Sequence, residues 1–365
     1  MKFIVSGGGT GGHIFPAIAI ADAIKQKQPD AEFLFVGAKG KMEMERVPRV
    51  GYAIEGLWIS GLQRKLTLRN LSFPFKVLHS LWKARSIVKR FKPDAVIGTG
   101  GYASGPTLRM AGGIPRILQE QNNYAGMTNK LLADKADKVC VAYSGMEKFF
   151  PQHKIVLTGN PVRETVTQIE GKRNEAISHF GLKASKKTIL IVGGSLGART
   201  LNQALDAATS LLESKENIQV LWQCGKIYYE QYKDCLTAKL PNVKLTMFID
   251  RMDLAYSLAD IVISRAGAIA ISELCLVGKP TILVPSPNVA EDHQTKNAMA
   301  LVEKKAAVLV KDSEAIHNLI ETTIKTLNDN ALSQDLSQNI KQLGRPNAAD
   351  HIADVILELV KSHKR

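Results

Sequence analysis

The sequence is poor in aromatic residues, which make up 6% of its 365 positions, and holds only four cysteines. Single-strand nucleic-acid binders interleave aromatic rings with basic residues, and no such interleaving runs through this chain. Cys140, Cys224, Cys235 and Cys275 never form a Cys-x-x-Cys pair. Disulfide and zinc frameworks are therefore poor readings, and a reducing compartment fits best. No apolar run reaches the ~18 residues of a membrane-crossing helix. The opening MKFIVSGGG is too brief an apolar stretch for a secretory leader and runs straight into a glycine loop. Gly-x-x-x-x-Gly-Lys-Ser/Thr is missing, which excludes a P-loop NTPase. Asp-x-Asp is missing too: none of the sixteen aspartates has another two positions away. No metal site is expected.

Hydrophobic residues at 45% and charged residues at 22% mark an ordered globular protein. A chain of this length exceeds one ordinary core, so two domains are expected. The net charge of +14 calls for an anionic partner. With so few aromatics, phosphorylated substrates or an anionic membrane surface suit that charge better than nucleic acid.

Short β-rich apolar runs alternate with helical patterns. Strands are expected at 2–7, 32–37, 95–99, 116–119, 138–142 and 154–158, then at 188–192, 219–223, 244–248, 261–264, 281–284 and 307–310. Such alternation predicts parallel sheets in doubly wound α/β domains. Each half opens on strand, glycine loop and helix, KFIVSGGGTGGHIFPAIAIADAI and then KTILIVGGSLGARTLNQALDAA. Two Rossmann-like domains with a cleft between them are expected, 1–160 and 161–345, divided where Gly159-Asn160-Pro161 interrupts regular structure. The segment 346–365 reads as a helix from Ala348 to Leu359 with Asn347 as its cap. Pattern alone leaves open which domain it joins.

Four glycine loops follow strands: Gly7–His13, Gly98–Tyr102, Gly193–Gly197 and Arg265–Ala268. A helix N-terminus behind such a loop offers unpaired N–H groups to a diphosphate. Any one loop is weak evidence; four favour a ligand in the cleft. The strand ending at Phe35-Val36-Gly37-Ala38 brings no acidic residue for a ribose, which argues against an NAD enzyme. In the second half, Glu273 lies one to two turns into a helix, where it could accept both ribose hydroxyls. Stabilising the helix dipole is its structural alternative.

The stretches GGGTGGHIFPA, GTGGYASGP, EQNNYAGMTNK, GNPVR, GGSLGAR, SRAGAIAISE and DHQTKNA occur in this order. Together they resemble the MurG family of N-acetylglucosaminyltransferases over nearly the whole chain. The resemblance implies a GT-B fold whose last helix crosses back onto the first domain. It implies inverting transfer from UDP-N-acetylglucosamine to lipid I, the undecaprenyl-diphosphate-linked N-acetylmuramoyl-pentapeptide. The product would be lipid II for peptidoglycan synthesis, and through it cell-wall biogenesis, cell shape and division. No cofactor is implied. Position by position, Thr10, Gly11 and Gly12 would approach the donor, and Asn122 would hold a sugar hydroxyl. Arg163 and Ser195 would contact phosphate, and the backbone of Ile249 would recognise uracil. Ala268, Ile269, Ala270, Ile271, Ser272 and Glu273 would bind diphosphate and ribose, and Gln294 the sugar. His293 stands where some members have Gln, which weakens its case as a sugar contact.

An inverting displacement needs a base for the acceptor hydroxyl and charge stabilisation for the departing UDP. His13, at the tip of the first loop, is the better base, since histidine is the side chain that titrates nearest neutral pH, with helix capping or anion contact as its alternative. Glu120 is the second catalytic candidate, with hydrogen bonding to nearby backbone as its alternative. Between Glu55 and Asp94 no acidic residue occurs, while Leu71, Phe75, Leu78 and Trp82 stand among Lys76, Lys83, Arg85, Lys89 and Arg90. A basic, apolar-faced helix of this kind suits the anionic cytoplasmic face of a bacterial inner membrane, each basic residue contributing about 1 kcal/mol there. A core helix whose charged face is simply solvated is the plain alternative. Other readings of the chain are a UDP-sugar epimerase, a different glycolipid transferase, or a nucleotide-sugar-binding protein without turnover.

Overall fold

The computed structural model describes residues 1–61, 72–162, 164–194 and 196–364. The chain divides into two compact units, Met1–Val162 with Pro346–Arg365, and Arg163–Arg345. Unit 1 holds strands β1 (Lys2–Gly7), β2 (Glu32–Ala38), β3 (Ala53–Leu57), β4 (Ala95–Gly100), β5 (Arg116–Glu120), β6 (Lys138–Val141) and β7 (Ile155–Leu157). They form one parallel sheet in the order β3-β2-β1-β4-β5-β6-β7. Unit 2 holds β8 (Lys187–Val192), β9 (Ile218–Gln223), β10 (Val243–Thr246), β11 (Ile261–Ser264), β12 (Thr281–Leu283) and β13 (Val308–Leu309), ordered β10-β9-β8-β11-β12-β13.

The period-two alternation of strand side chains divides each sheet's apolar residues between two helical layers. Phe3 and Val5 of β1 enter one core with Ile14, Ile20 and Ile24 of helix Gly11–Lys27. Ile4, between them, enters the opposite core with Ala84, Ile87 and Val88 of helix Phe73–Phe91. In unit 2, Ile189 and Ile191 pack with Leu201 and Leu205 of helix Arg199–Asp206 and with Leu319 of helix Ala315–Asn328.

The closing helix, Ala348–His363, belongs to unit 1. Its Ile352, Ile356 and Val360 join the core of helix Gly11–Lys27. Lys27–Asp354 at 2.9 Å and Lys364–Asp94 at 2.7 Å tie its rim. Asn347 does not cap it as expected. Its backbone is left-handed, with φ at +57°, and its side chain makes no capping hydrogen bond. Turning the chain sharply out of Pro346 takes precedence there over closing the first helical amides.

Candidate functional site

In each sheet the strand order reverses once, between β1 and β4 in unit 1 and between β8 and β11 in unit 2. Loops at the carboxyl ends of strands diverge at such a point and leave a crevice. In unit 2 this crevice is a pocket of about 630 Å³. It is lined from β8 onward by Gly193, Gly194, Arg199 and Thr200, from β9 by Gln223, and beyond β10 by Phe248 and Ile249. Gly197 has φ at +84°, and a Cβ there would lie 2.0 Å from the Cys224 carbonyl, so only glycine fits this turn.

The opposite wall is helix Ala268–Val277, entered from β11 through Gly267, whose extended backbone (φ −69°, ψ 140°) makes it the N-cap. The Ile271 N–H already bonds the Gly267 carbonyl at 2.9 Å. The first-turn amides of Ala268, Ile269 and Ala270 therefore remain for an anion. Ala268 and Ile271 turn their side chains into the core, and the Ser272 hydroxyl donates back to the Ala268 carbonyl at 3.0 Å. Ala270 and Glu273 line the pocket, with Glu273 Oε2 accepting from the Tyr256 hydroxyl at 3.2 Å. Arg265 contributes structure: its Nη1 donates to Asp312 and to the carbonyls of Val284 and Pro285. Gln294 is pinned by Ser286 N–H donating to its Oε1 at 2.8 Å, which leaves the amide's NH₂ end for a ligand oxygen. Gln294 lines the pocket and its neighbour His293 does not.

The switch point of unit 1 is built by the loops after β1, β4 and β5. Thr10 is the extended N-cap of helix Gly11–Lys27, and its carbonyl accepts the N–H groups of His13 at 3.1 Å and Ile14 at 3.2 Å. The amides of Gly11 and Gly12 are thus the ones its first turn leaves open. The His13 ring lies over Gly100, where φ is +100° and an added Cβ would come within 2.8 Å of its Cε1 and Nδ1. Thr99 Oγ1 donates to the His13 carbonyl at 2.8 Å, and His13 Nδ1 lies 3.0 Å from Gln121 Oε1.

Glu120 is 1% exposed and both its oxygens are engaged. Oε1 accepts from Asn122 N at 3.1 Å and Asn122 Nδ2 at 3.3 Å. Oε2 accepts from Gly126 N at 3.0 Å and Asn129 Nδ2 at 2.8 Å. Such a carboxylate shapes the loop 121–129, its two oxygens being taken up by donors of that loop. Burial pushes the thiols of Cys140 and Cys275 up to about 12 and that of Cys224 up to about 11, which keeps them protonated and inert at neutral pH. Among the described residues no three His, Cys, Asp or Glu side chains gather as metal ligands.

Residues 3–141 match the glycosyltransferase family 28 N-terminal domain and residues 188–353 its C-terminal domain. A UDP-N-acetylglucosamine–N-acetylmuramyl-(pentapeptide) pyrophosphoryl-undecaprenol N-acetylglucosamine transferase of Flavobacterium psychrophilum is 58% identical, across 100% of this chain and 99% of that one. The like-named protein of Bacteroides thetaiotaomicron is 55% identical, across 99% and 98%. The chain belongs to this transferase family. The crystal structure of Acinetobacter baumannii MurG superposes with a TM-score of 0.77 at 31% identity, covering 98% of this chain and 99% of that one. A Neisseria meningitidis UDP-GlcNAc 2-epimerase bound to UDP-GlcNAc gives 0.68 at 15% identity, covering 98% and 100%, and shares the fold alone.

Within the transferase, unit 2 brings Ile249, Ala270, Glu273 and Gln294 to one pocket, with the amides of Ala268 and Ile269 at the same helix end. Unit 1 brings Thr10, Gly11, Gly12, His13, Glu120 and Asn122 to the carboxyl ends of β1 and β5. Arg163, Ser195 and Leu71 lie outside the described residues. The pocket residues Arg199, Thr200, Gln223, Phe248 and Tyr256 escaped the sequence reading, as did Gln121 beside His13. Arg199 stands in the quoted GGSLGAR stretch and Gln121 in EQN, so the motifs held them without marking their roles. On helix Phe73–Phe91, Phe75, Leu78 and Trp82 are 69%, 65% and 71% exposed. Among the described residues no helix is long and apolar enough to cross a membrane.

Proposed function

We propose that the chain transfers N-acetylglucosamine from UDP-N-acetylglucosamine to lipid I, with inversion, forming the β-1,4 linkage of lipid II for the peptidoglycan wall. The observation that carries this is the unit 2 pocket. Its size suits a nucleotide-sugar, its helix end faces an anion with three open amides, and Glu273 and Gln294 supply oxygen and NH₂ partners for hydroxyls. Uracil pairs with backbone at Ile249, whose side chain is buried. Arg163 and Ser195, outside the described residues, carry the phosphate roles that the family's GNPVR and GGSLGAR motifs imply.

The acceptor hydroxyl attacks C1 of the donor sugar on the side opposite the diphosphate. The C1–O bond to UDP breaks and its electrons leave with the diphosphate, whose growing charge the helix N-terminus meets. The hydroxyl proton passes to His13, while Glu120 holds the loop that carries Asn122. No cofactor is required. The exposed Phe75, Leu78 and Trp82, with Lys76, Lys83, Arg85 and Lys89 on the same helix, seat unit 1 on the anionic inner face of the plasma membrane, where the lipid acceptor lies. The deciding experiment measures UDP release with and without a polyprenyl-diphosphate-N-acetylmuramoyl acceptor, and with UDP-glucose or UDP-N-acetylgalactosamine as donor. Strong stimulation by the acceptor, confined to UDP-N-acetylglucosamine, is expected. Release indifferent to the acceptor refutes the reading.

A further inference from the structure

Three buried amide side chains run in a line to His13: Asn160, Gln119 and Gln121, exposed by 2%, 0% and 1%. An amide has a donor end and an acceptor end, so a chain of them acquires a direction once one end meets a group of single character. That fixed end is Asn160, whose Nδ2 donates to the backbone carbonyl of Gln121 at 3.0 Å. Its Oδ1 accordingly accepts, taking the N–H of Gln119 Nε2 at 2.9 Å. Gln119 is thereby set with Oε1 as an acceptor, and Gln121 Nε2 donates to it. Gln121 Nε2 also faces the carbonyls of Thr99 at 2.8 Å and Gln119 at 3.2 Å. Turning the Gln121 amide over would set its oxygen against three others, a buried repulsion with no donor to relieve it. Its Oε1 therefore points at His13 Nδ1, 3.0 Å away. An amide oxygen only accepts, so the hydrogen lies on Nδ1.

We propose that Gln121, held by Gln119 and Asn160, is a positioning residue that fixes the neutral His13 imidazole as its Nδ1–H tautomer and leaves the lone pair on Nε2. The inference rests on the reading of His13 as the proton acceptor. It adds which nitrogen accepts and what enforces the choice. Thr99 holds the His13 carbonyl, and a flip of the ring would set a C–H in place of Nδ1 against Gln121 Oε1 and give up their hydrogen bond. Nδ1–H stays bonded to Gln121 when Nε2 is protonated, so the ring keeps its orientation through the proton transfer.

The test is nitrogen NMR of the full-length protein labelled with ¹⁵N-histidine, the His13 signals being assigned by their loss in His13→Gln. Above the ring's titration, the wild type is expected to show a protonated-type shift at Nδ1 and an unprotonated-type shift at Nε2. The reverse pattern, or a mixture, overturns the proposal. Gln121→Leu keeps the bulk and removes the acceptor. It should show mixed tautomers and a kcat lowered at least about tenfold, part of the ~10²–10⁴-fold that a positioned base supplies, with UDP affinity unchanged. A Gln121→Leu enzyme that retains a pure Nδ1–H ring overturns the proposal as well. If that variant fails to fold, the wild-type spectrum decides alone. The two readings fail separately. A wild-type Nδ1–H ring with full turnover in His13→Ala removes the base and keeps the positioning; mixed tautomers with a dead His13→Ala do the reverse.

Discussion

Glu43 Oε2 accepts the backbone N–H of Gly9 at 2.9 Å. Its Oε1 accepts the N–H of Ala38, also at 2.9 Å, and the carboxylate is fully buried. A Cβ at Gly8 would lie 2.1 Å from Oε1, so the first glycine loop rests on this side chain. Glu43→Gln turns an NH₂ group toward one of the two amides. The variant should lose about 1–3 kcal/mol in urea unfolding and also lose turnover, because the loop leads directly into His13. An unchanged unfolding midpoint would show that the loop holds itself.

Glu120 and His13 are separated by their pH–rate profiles. Four N–H contacts from three residues converge on the Glu120 carboxylate, so Glu120→Gln should lower kcat/KM by loosening the loop of Asn122. The shape of the profile should survive, since the titrating base is elsewhere. Loss of one limb of the profile in Glu120→Gln would make Glu120 the base.

The donor diphosphate is met by helix amides, so chelation should not matter. With a short-chain soluble acceptor, turnover after exhaustive EDTA treatment is expected to equal that of the untreated enzyme. Activity restored only by magnesium or manganese would assign the leaving-group charge to a metal.

Asp253, in the first turn of helix Met252–Leu258 behind the pocket wall, accepts from Arg251 Nε and Nη2 at 2.9 Å each and from Lys172 Nζ at 2.8 Å. The Arg251 guanidinium, then the Lys172 ammonium, hold its carboxyl well below the usual carboxylate range. A lowered folded-state pKa stabilises above the unfolded value and is lost as pH falls through the folded one. Asp253→Asn should therefore cost about 1.5–3 kcal/mol at neutral pH, the gap from wild type closing progressively below about pH 4. A constant gap across urea melts at acid and neutral pH would contradict this ion-pair account.

The apolar face of helix Phe73–Phe91 gives the fifth prediction. Phe75→Ser with Trp82→Ser should weaken binding to anionic vesicles while leaving turnover on a soluble acceptor intact. Equal sedimentation of wild type and double variant with vesicles would remove this face from the membrane.

Of the strands among the described residues, twelve were legible because each reads as a short β-rich apolar run between helical patterns. The thirteenth, β3, was not. It is an edge strand of five residues, Ala53–Leu57, with Glu55 and Gly56 inside it, and only pairing with β2 makes it regular. At the candidate site, Glu273 and Gln294 were visible through motif and position. Glu43 was invisible, since a Glu in the polar stretch KMEMERVPR resembles any surface acid until the fold buries it. Gln121 escaped for a related reason. Its role lies in which way its amide faces, and that is set by Asn160, 39 positions away.

The closing helix makes the order of synthesis matter. Ile352, Ile356 and Val360 complete a core begun by Phe3 and Val5, so the first unit to leave the ribosome is the last able to finish folding. Unit 2 is contiguous and can consolidate while unit 1 waits with an apolar helix face uncovered. Released chains truncated before residue 346 should accordingly hold a folded second half and a chaperone-dependent first half.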